Sequence, residues 1–462
     1  MLIDLPGLAK VKDSVKEKLF FGHEPSGELI AILSVYLVQG ILGLARLAVS
    51  FFLKDELLLS PAQVSAILGV VALPWMIKPV FGFVSDGLPI FGYRRRPYLV
   101  ISGILGATSW ISLATIVHTS WAATLAIALG SLSVAVSDVI VDSLVVERAR
   151  VESLAGAGSL QSLCWGTSAF GSLLTAYFSG MLLENFTTRT VFWITASFPL
   201  IVSVVACLIA ETPISKNGKD HQSNNSLSTK DQIKQLRQAI TQKSIWLPTA
   251  FLFVWLATPT ADSAFFFFST NELHFEPEFL GRVRLVTSAA SLLGIWIFQR
   301  FLKSVSFRKI FGWSTVISSA LGMTMLLLVT HTNRVLGIDD RWFSLGDSLI
   351  LTVMGQIAYV PVLVLAARLC PLGVEATLFA LLMSVSNLAG MVSYEFGAMI
   401  MYWLGITETN FELLWLLVII TNLSTLLPLP FISWLPANDP ETESPKLQPP
   451  PVKGREETFL PQ

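Results

Sequence analysis

A lysine stands between two prolines inside an otherwise apolar run, in "LPWMIKPVFGFVSD". Further along, Asp138 and Asp142 fall four residues apart in "AVSDVIVDSLVVERAR". That spacing puts both carboxylates on one face of a helix. If Lys78 lies at similar depth, one acid pairs with it and the other is left to carry a proton. The alternative is a static lock between helices, to Lys78 or to Arg148. Arg46 in "GLARLAV", Asp262 after Pro259, Arg282, Arg284 and Glu395 are also charges within apolar runs. A charge at the centre of a bilayer costs about 2.5–3.5 kcal/mol even on the lenient scale, so such residues face a bundle interior and mark a pathway. Glu395 reads better as a helix-packing residue, and Arg282 could equally sit at the membrane interface.

These charges are conspicuous because the rest of the chain is so apolar. Of 462 residues, 53% are hydrophobic and 14% charged, with a mean hydropathy of +0.65. A soluble domain carries about a quarter charged residues, so the composition reads as a polytopic membrane protein. Net charge is −1, which offers no field for nucleic acid. Three cysteines and five histidines form no metal-ligand spacing, and no cofactor is expected. No H-E-x-x-H, G-x-S-x-G or Walker loop is present, which argues against an enzyme.

Twelve apolar stretches can each cross a core of about 30 Å. They fall near 29–53, 62–84, 97–117, 121–147, 155–183, 190–210, 246–270, 279–303, 307–330, 343–369, 373–404 and 410–435. With the N-terminus inside, the connections on the cytoplasmic side hold 23 Lys and Arg against 4 on the other. The positive-inside rule therefore places both termini in the cytoplasm. Arg94, Arg95 and Arg96 in "SDGLPIFGYRRRPYLV" hold the second turn on that side. The expected organisation is a cytoplasmic segment over 1–28, six helices over 29–210, and a linker with a short basic helix over 211–245. Six more helices follow over 246–435, then a disordered tail over 436–462. Gly294 and Arg308 repeat the placement of Gly82 and Arg96, so the halves read as internal repeats. The second copy has Phe298 where the first has Asp86.

"GFVSDGLPIFGYRRRPYLV" resembles the loop between spans two and three of the folate–biopterin transporter family, within the major facilitator superfamily. "LPWMIKPVFGFVSD", "SDVIVDSLVVERAR", "SLAGAGSLQSLCWG" and "RLCPLGVEATLFALLMSVSNLAG" resemble it too, so the likeness runs from about Glu28 to about Pro436. It implies an all-α membrane protein with twelve transmembrane helices in two pseudo-repeats. It also implies uptake or exchange of folates or pterins, with protons as the expected coupling ion. A monomer in a cyanobacterial plasma membrane is expected, since no plastid-type extension is seen.

Two groups of residues follow. Substrate and proton handling is expected of Arg46, Lys78, Asp138, Asp142, Asp262 and Arg284. The cations would neutralise a glutamate tail and the acids would bond the pterin N–H groups, but which does which is not readable. A pair from Asp262 to Arg284 or Arg282 would mirror the one between spans four and two. A cytoplasmic gate is expected of Gly82, Asp86, Gly92, Arg94, Arg95, Arg96, Glu147, Arg148, Arg368 and Glu375. There Asp86 would pair with Arg148 or Arg150, and Arg94–Arg96 would meet Glu147 or Glu375. A facilitator for another small organic anion or a drug is the alternative, since substrate drifts within a fold.

Overall fold

The structure is a computed structural model that describes residues 23, 25–149, 154–213, 241–302, 305–368 and 375–436. At 149, 154–159, 161, 364, 366–368 and 375–380 only the helical backbone is described. The basic helix expected in the linker and the tail lie outside these residues.

A helix occupies each of the twelve expected positions, and the described residues contain no strand. They are α1 (Gly27–Glu56), α2 (Pro61–Gly87), α3 (Arg96–Thr115), α4 (Ser120–Ala149), α5 (Leu154–Asn185) and α6 (Thr188–Leu208). After the linker come α7, in two pieces (Lys243–Leu256 and Asp262–Phe267), α8 (Pro277–Leu302), α9 (Phe307–Val329), α10 (Asp340–Arg368), α11 (Glu375–Trp403) and α12 (Leu414–Trp434). Among the described residues, nine of these are both long and apolar enough to span a membrane.

In the first six, α3 packs on α4 and α6, and α1 packs on α5 and α6. In the last six, α10 packs on α8 and α9, and α7 on α11. Two seams join the sets, α5 on α8 and α2 on α11. Moving each label by six turns one seam into the other, as a two-fold pseudo-repeat requires.

The repeat reaches single atoms. Arg96 starts α3, and its guanidinium donates to the Ala206 and Cys207 carbonyls at the end of α6. Arg308 is the second residue of α9 and donates to the Ser433 and Leu435 carbonyls at the end of α12. Each arginine satisfies carbonyls that a helix end leaves without partners. Gly82 faces Val139 of α4, and Gly294 faces Val353 and Gln356 of α10. The ends of α1 and α7 match as well. Leu59 N–H bonds the Leu53 carbonyl, as Phe275 N–H bonds that of Ser269, and Leu58 and His274 both hold a φ near +53° (52° and 54°).

The kinks follow from proline chemistry. Pro74 and Pro79 each open a short helical piece of α2, where their missing N–H is no loss. Pro79 cannot donate to the Trp75 carbonyl four residues back. That carbonyl instead accepts from Asn387 Nδ2 of α11 at 3.0 Å. The 246–270 stretch, read as one span, is broken after Leu256. There Thr260 N–H bonds the Ser393 carbonyl, and Ser393 Oγ donates to the Thr258 carbonyl at 2.5 Å.

The bundle end holding the α2–α3 turn and Glu211 is here the linker end, and the opposite one the far end. Three side-chain hydrogen bonds described between the two sets lie from mid-depth to the far end. Besides Asn387 to Trp75 they are Lys54 Nζ to Asn271 Oδ1 at 2.8 Å and Ser65 Oγ to the Tyr394 carbonyl at 2.8 Å. Lys54 also sits over the Phe51 and Phe267 rings, and its side chain is 9% exposed.

Candidate functional site

The break in α2 delivers Lys78 to α4. Its ammonium donates to Asp138 Oδ2 and lies 3.9 Å from Asp142 Oδ2. The Trp75 ring lies under it, 5.0 Å from the ring centre. Asp142 accepts from Tyr36 Oη of α1 at 2.5 Å. Lys78, Asp138 and Asp142 are therefore one cluster, as their spacing predicts, with Tyr36 added. Asp138 is mostly enclosed, at 13% side-chain exposure, whereas Asp142 is 49% exposed. The first acid is committed to the lysine, and the second faces open space between the helices.

Nearer the far end, Arg46 of α1 and Arg284 of α8 lie within Coulombic reach of each other. Tyr394 of α11 feels both Arg46 and Asp262. Arg46 therefore points into the space between the two sets of helices. No ion pair between Asp262 and either arginine is described. Asp262 opens the second piece of α7, where a carboxylate suits the positive end of the helix, and it bonds Thr260. Arg282 instead pairs with Glu278 one turn away at 2.5 Å on an exposed face. Glu395 packs its carboxylate against Gly69 of α2, in line with a packing role.

The linker-end cluster differs from the expected pairing. Asp86 is bound by Arg95 at 2.9 Å, not by Arg148. Arg95 also binds Glu147 at 2.8 Å and Ser85 Oγ at 3.0 Å. Arg148 reaches Ser26 Oγ at 2.9 Å, at the start of α1. The reason is reach: the turn at Gly92, with φ of +85°, folds Arg95 back over the end of α2 before α3 begins. All these contacts lie within the first six helices. Gly82 lies against α4, as above. Arg94 contributes its N–H, and Arg96 is spent on α6 and on the Tyr93 ring. Arg150 lies outside the described residues. Arg368 ends α10 and Glu375 starts α11, but their side chains lie outside them too.

Three residues were not singled out from sequence. The Glu211 carboxylate accepts from the N–H groups of Arg94, Arg95 and Arg96, at 2.5 to 3.1 Å. It stood in the stretch read as linker, where one acid among many polar residues gives no signal. Tyr36 and Gln39 were hidden in an apolar run, although helical spacing from Arg46 could have found them. Glu211→Ala should strip the acceptor from three N–H groups and cost about 2 kcal/mol. Thermal unfolding of purified protein checks this, and an unchanged melting curve would show that the bonds add nothing net.

Comparison with known proteins bears on what this geometry serves. A model of the BT1 family matches residues 39–448. A "Folate-biopterin transporter" of Synechocystis sp. is 61% identical over 433 residues, covering 94% of this chain and 86% of that protein. "Folate transporter 2" of Plasmodium falciparum is 32% identical, covering 88% of each. Among solved structures, the nucleoside transporter NupG aligns with a TM-score of 0.65 at 14% identity, over 88% of this chain and 98% of that one. A D-xylose-proton symporter aligns with the same TM-score and identity, over 91% and 98%. At that identity the likeness shows the fold alone, which is the major facilitator fold; the BT1 match and the relatives named as transporters make this a multi-pass transporter rather than an enzyme.

Proposed function

The chain belongs to the BT1 family, and from that premise we propose that it carries folates or pterins across a membrane by alternating access, coupled to protons. The observation that carries the reading is the set of charges held within the membrane-spanning helices on two levels. A base with one committed and one open acid lies on one level, and two cations without a described counter-ion lie on another. A flat heterocycle with N–H donors and a carboxylate tail has the complementary chemistry. The solved fold likeness supports two six-helix halves, 29–210 and 246–435, rocking about a central site.

The side-chain hydrogen bonds described between halves lie from mid-depth to the far end, which fits a form closed at that end. The linker-end ion pairs join α2, α3 and α4, so they brace one half as it moves. The positive-inside count supports a cytoplasmic linker end, and the Synechocystis relative supports a cyanobacterial membrane. A single chain is expected to suffice, since both halves of the site come from it.

The test is uptake of labelled folate, folinate and biopterin by a folate-transport-deficient host expressing this chain, with and without a proton uncoupler. Uptake above the empty host, lowered severalfold by the uncoupler, is the expected result. Uptake that ignores the uncoupler would remove proton coupling. Uptake of none of the three by a well-inserted protein would overturn the substrate class and favour another organic anion.

A further inference from the structure

Resting on the folate and pterin reading, we infer that the two charged levels fix the direction in which a folate lies: the glutamate tail on Arg46 and Arg284 toward the far end, the pterin edge on Asp142 toward the linker end, and Gln39 between them.

Helix α1 provides the scale. Tyr36 and Gln39 lie three residues apart on its first piece, and Arg46 follows on the second piece, past a tight turn at Leu42 and Gly43. Tyr36 holds Asp142, and Arg46 approaches Arg284. Ten residues separate these levels, about 15 Å along a helix. An extended folate has its pterin at one end, its two carboxylates at the other, and an aminobenzoyl amide between.

Each level suits one end only. Arg46 and Arg284 come from different halves and repel each other, and no hydrogen bond or ion pair is described for either guanidinium. A dianion relieves that repulsion, and two guanidiniums can hold two carboxylates in bidentate fashion. At the other level Asp138 is taken by Lys78. Asp142 takes the Tyr36 bond on Oδ1 and has the Lys78 ammonium 3.9 Å from Oδ2, which leaves further lone pairs on a side chain that is half exposed. A carboxylate so placed accepts two parallel N–H bonds from a ring N–H and its neighbouring amino group. A glutamate tail there would meet two acids instead. Between the levels, Gln39 Nε2 is buried with no hydrogen-bond partner. A buried unpaired donor needs a reason, and the amide carbonyl of a folate supplies one.

The test is a binding cycle on the full-length protein in detergent, using folate and its dimethyl ester, in the wild type, in Arg46→Gln/Arg284→Gln and in Asp142→Asn. In the wild type the ester is expected to bind about 10- to 100-fold more weakly, the loss of charge-assisted bonds. In Arg46→Gln/Arg284→Gln the two ligands should bind equally weakly. In Asp142→Asn both should weaken by a common factor, so that the ester penalty persists. An ester penalty that survives loss of both arginines would place the tail elsewhere. A penalty that disappears in Asp142→Asn would reverse the direction. Arg46→Lys/Arg284→Lys, which keeps the charge, guards against a folding defect and should retain part of the penalty. Equal binding of ester and acid by the wild type would overturn the inference while leaving pterin transport intact. Binding of neither, by a protein that melts cooperatively, would overturn the transport reading itself.

Discussion

Lys78→Ala is expected to leave Asp138 buried without its partner and to destabilise the protein by about 3–5 kcal/mol. Asp138 is 13% exposed and Lys78 22%, and water cannot replace the ammonium at that depth. Asp142 would add a second negative charge nearby. Surface amounts of the single variant should therefore fall, and uptake with them. That result alone would not separate a static lock from a working part of the cycle. Lys78→Ala/Asp138→Asn does separate them. Replacing both members of a buried pair by neutral groups is often nearly neutral for stability. The double variant should insert and melt like the wild type. Its uptake should remain below about one tenth of wild type if the lysine organises Asp142 during transport. Wild-type uptake by the double variant would reduce the pair to a structural lock. Surface-quantified uptake and detergent melting curves on the three proteins provide the whole comparison.

The residues that could be read from sequence are those whose setting alone made them costly. Lys78, Asp138 and Asp142 stood out because a charge in an apolar run demands a partner, and the i, i+4 spacing specified a shared face. Arg96 and Arg308 showed the repeat because both sit in the first turn of a helix. Asp86 was readable as part of a linker-end cluster, but its partner was not. Arg94, Arg95, Arg96, Arg148 and Arg150 offer the same charge, and only the backbone path through Gly92 selects Arg95. Asp262 was paired with an arginine by analogy, yet the break after Leu256 places it at a helix start, where backbone N–H groups already favour it. Pro259 was visible, but a single proline inside a span does not say how many residues the break consumes. Asn387 shows the reverse case. Pro79 announces a free carbonyl at Trp75, although no local pattern tells which helix will fill it.

Gly180→Val is expected to insert normally and to lose more than nine tenths of uptake, because it attacks a contact that the proposed cycle makes and breaks. A Cβ at Gly180 would lie 2.5 Å from the Pro277 carbonyl oxygen and 2.8 Å from Gly281 Cα. Both obstacles are backbone, so the helices α5 and α8 must part. Overpacking of this kind costs about 1–3 kcal/mol. At a seam between halves that cost falls on the form closed at the far end, and shifts a two-state balance about 5- to 150-fold. Gly40→Val provides the contrast. Its Cβ would lie 2.2 Å from the Ser168 carbonyl oxygen, but α1 and α5 belong to the same half. No step of the proposed cycle separates them, so the cost falls on folding and the yield should drop instead. A reporter reads the difference directly. Ser65 is fully buried where α2 meets α11, bonded to the Tyr394 carbonyl. In a background lacking the native cysteines, Ser65→Cys should react slowly with an impermeant maleimide. Adding Gly180→Val should speed that reaction severalfold, because the far end then stays open. Unchanged labelling together with wild-type uptake would mean that the α5–α8 seam yields locally, and that its tight glycine contact does not set the balance between the two forms.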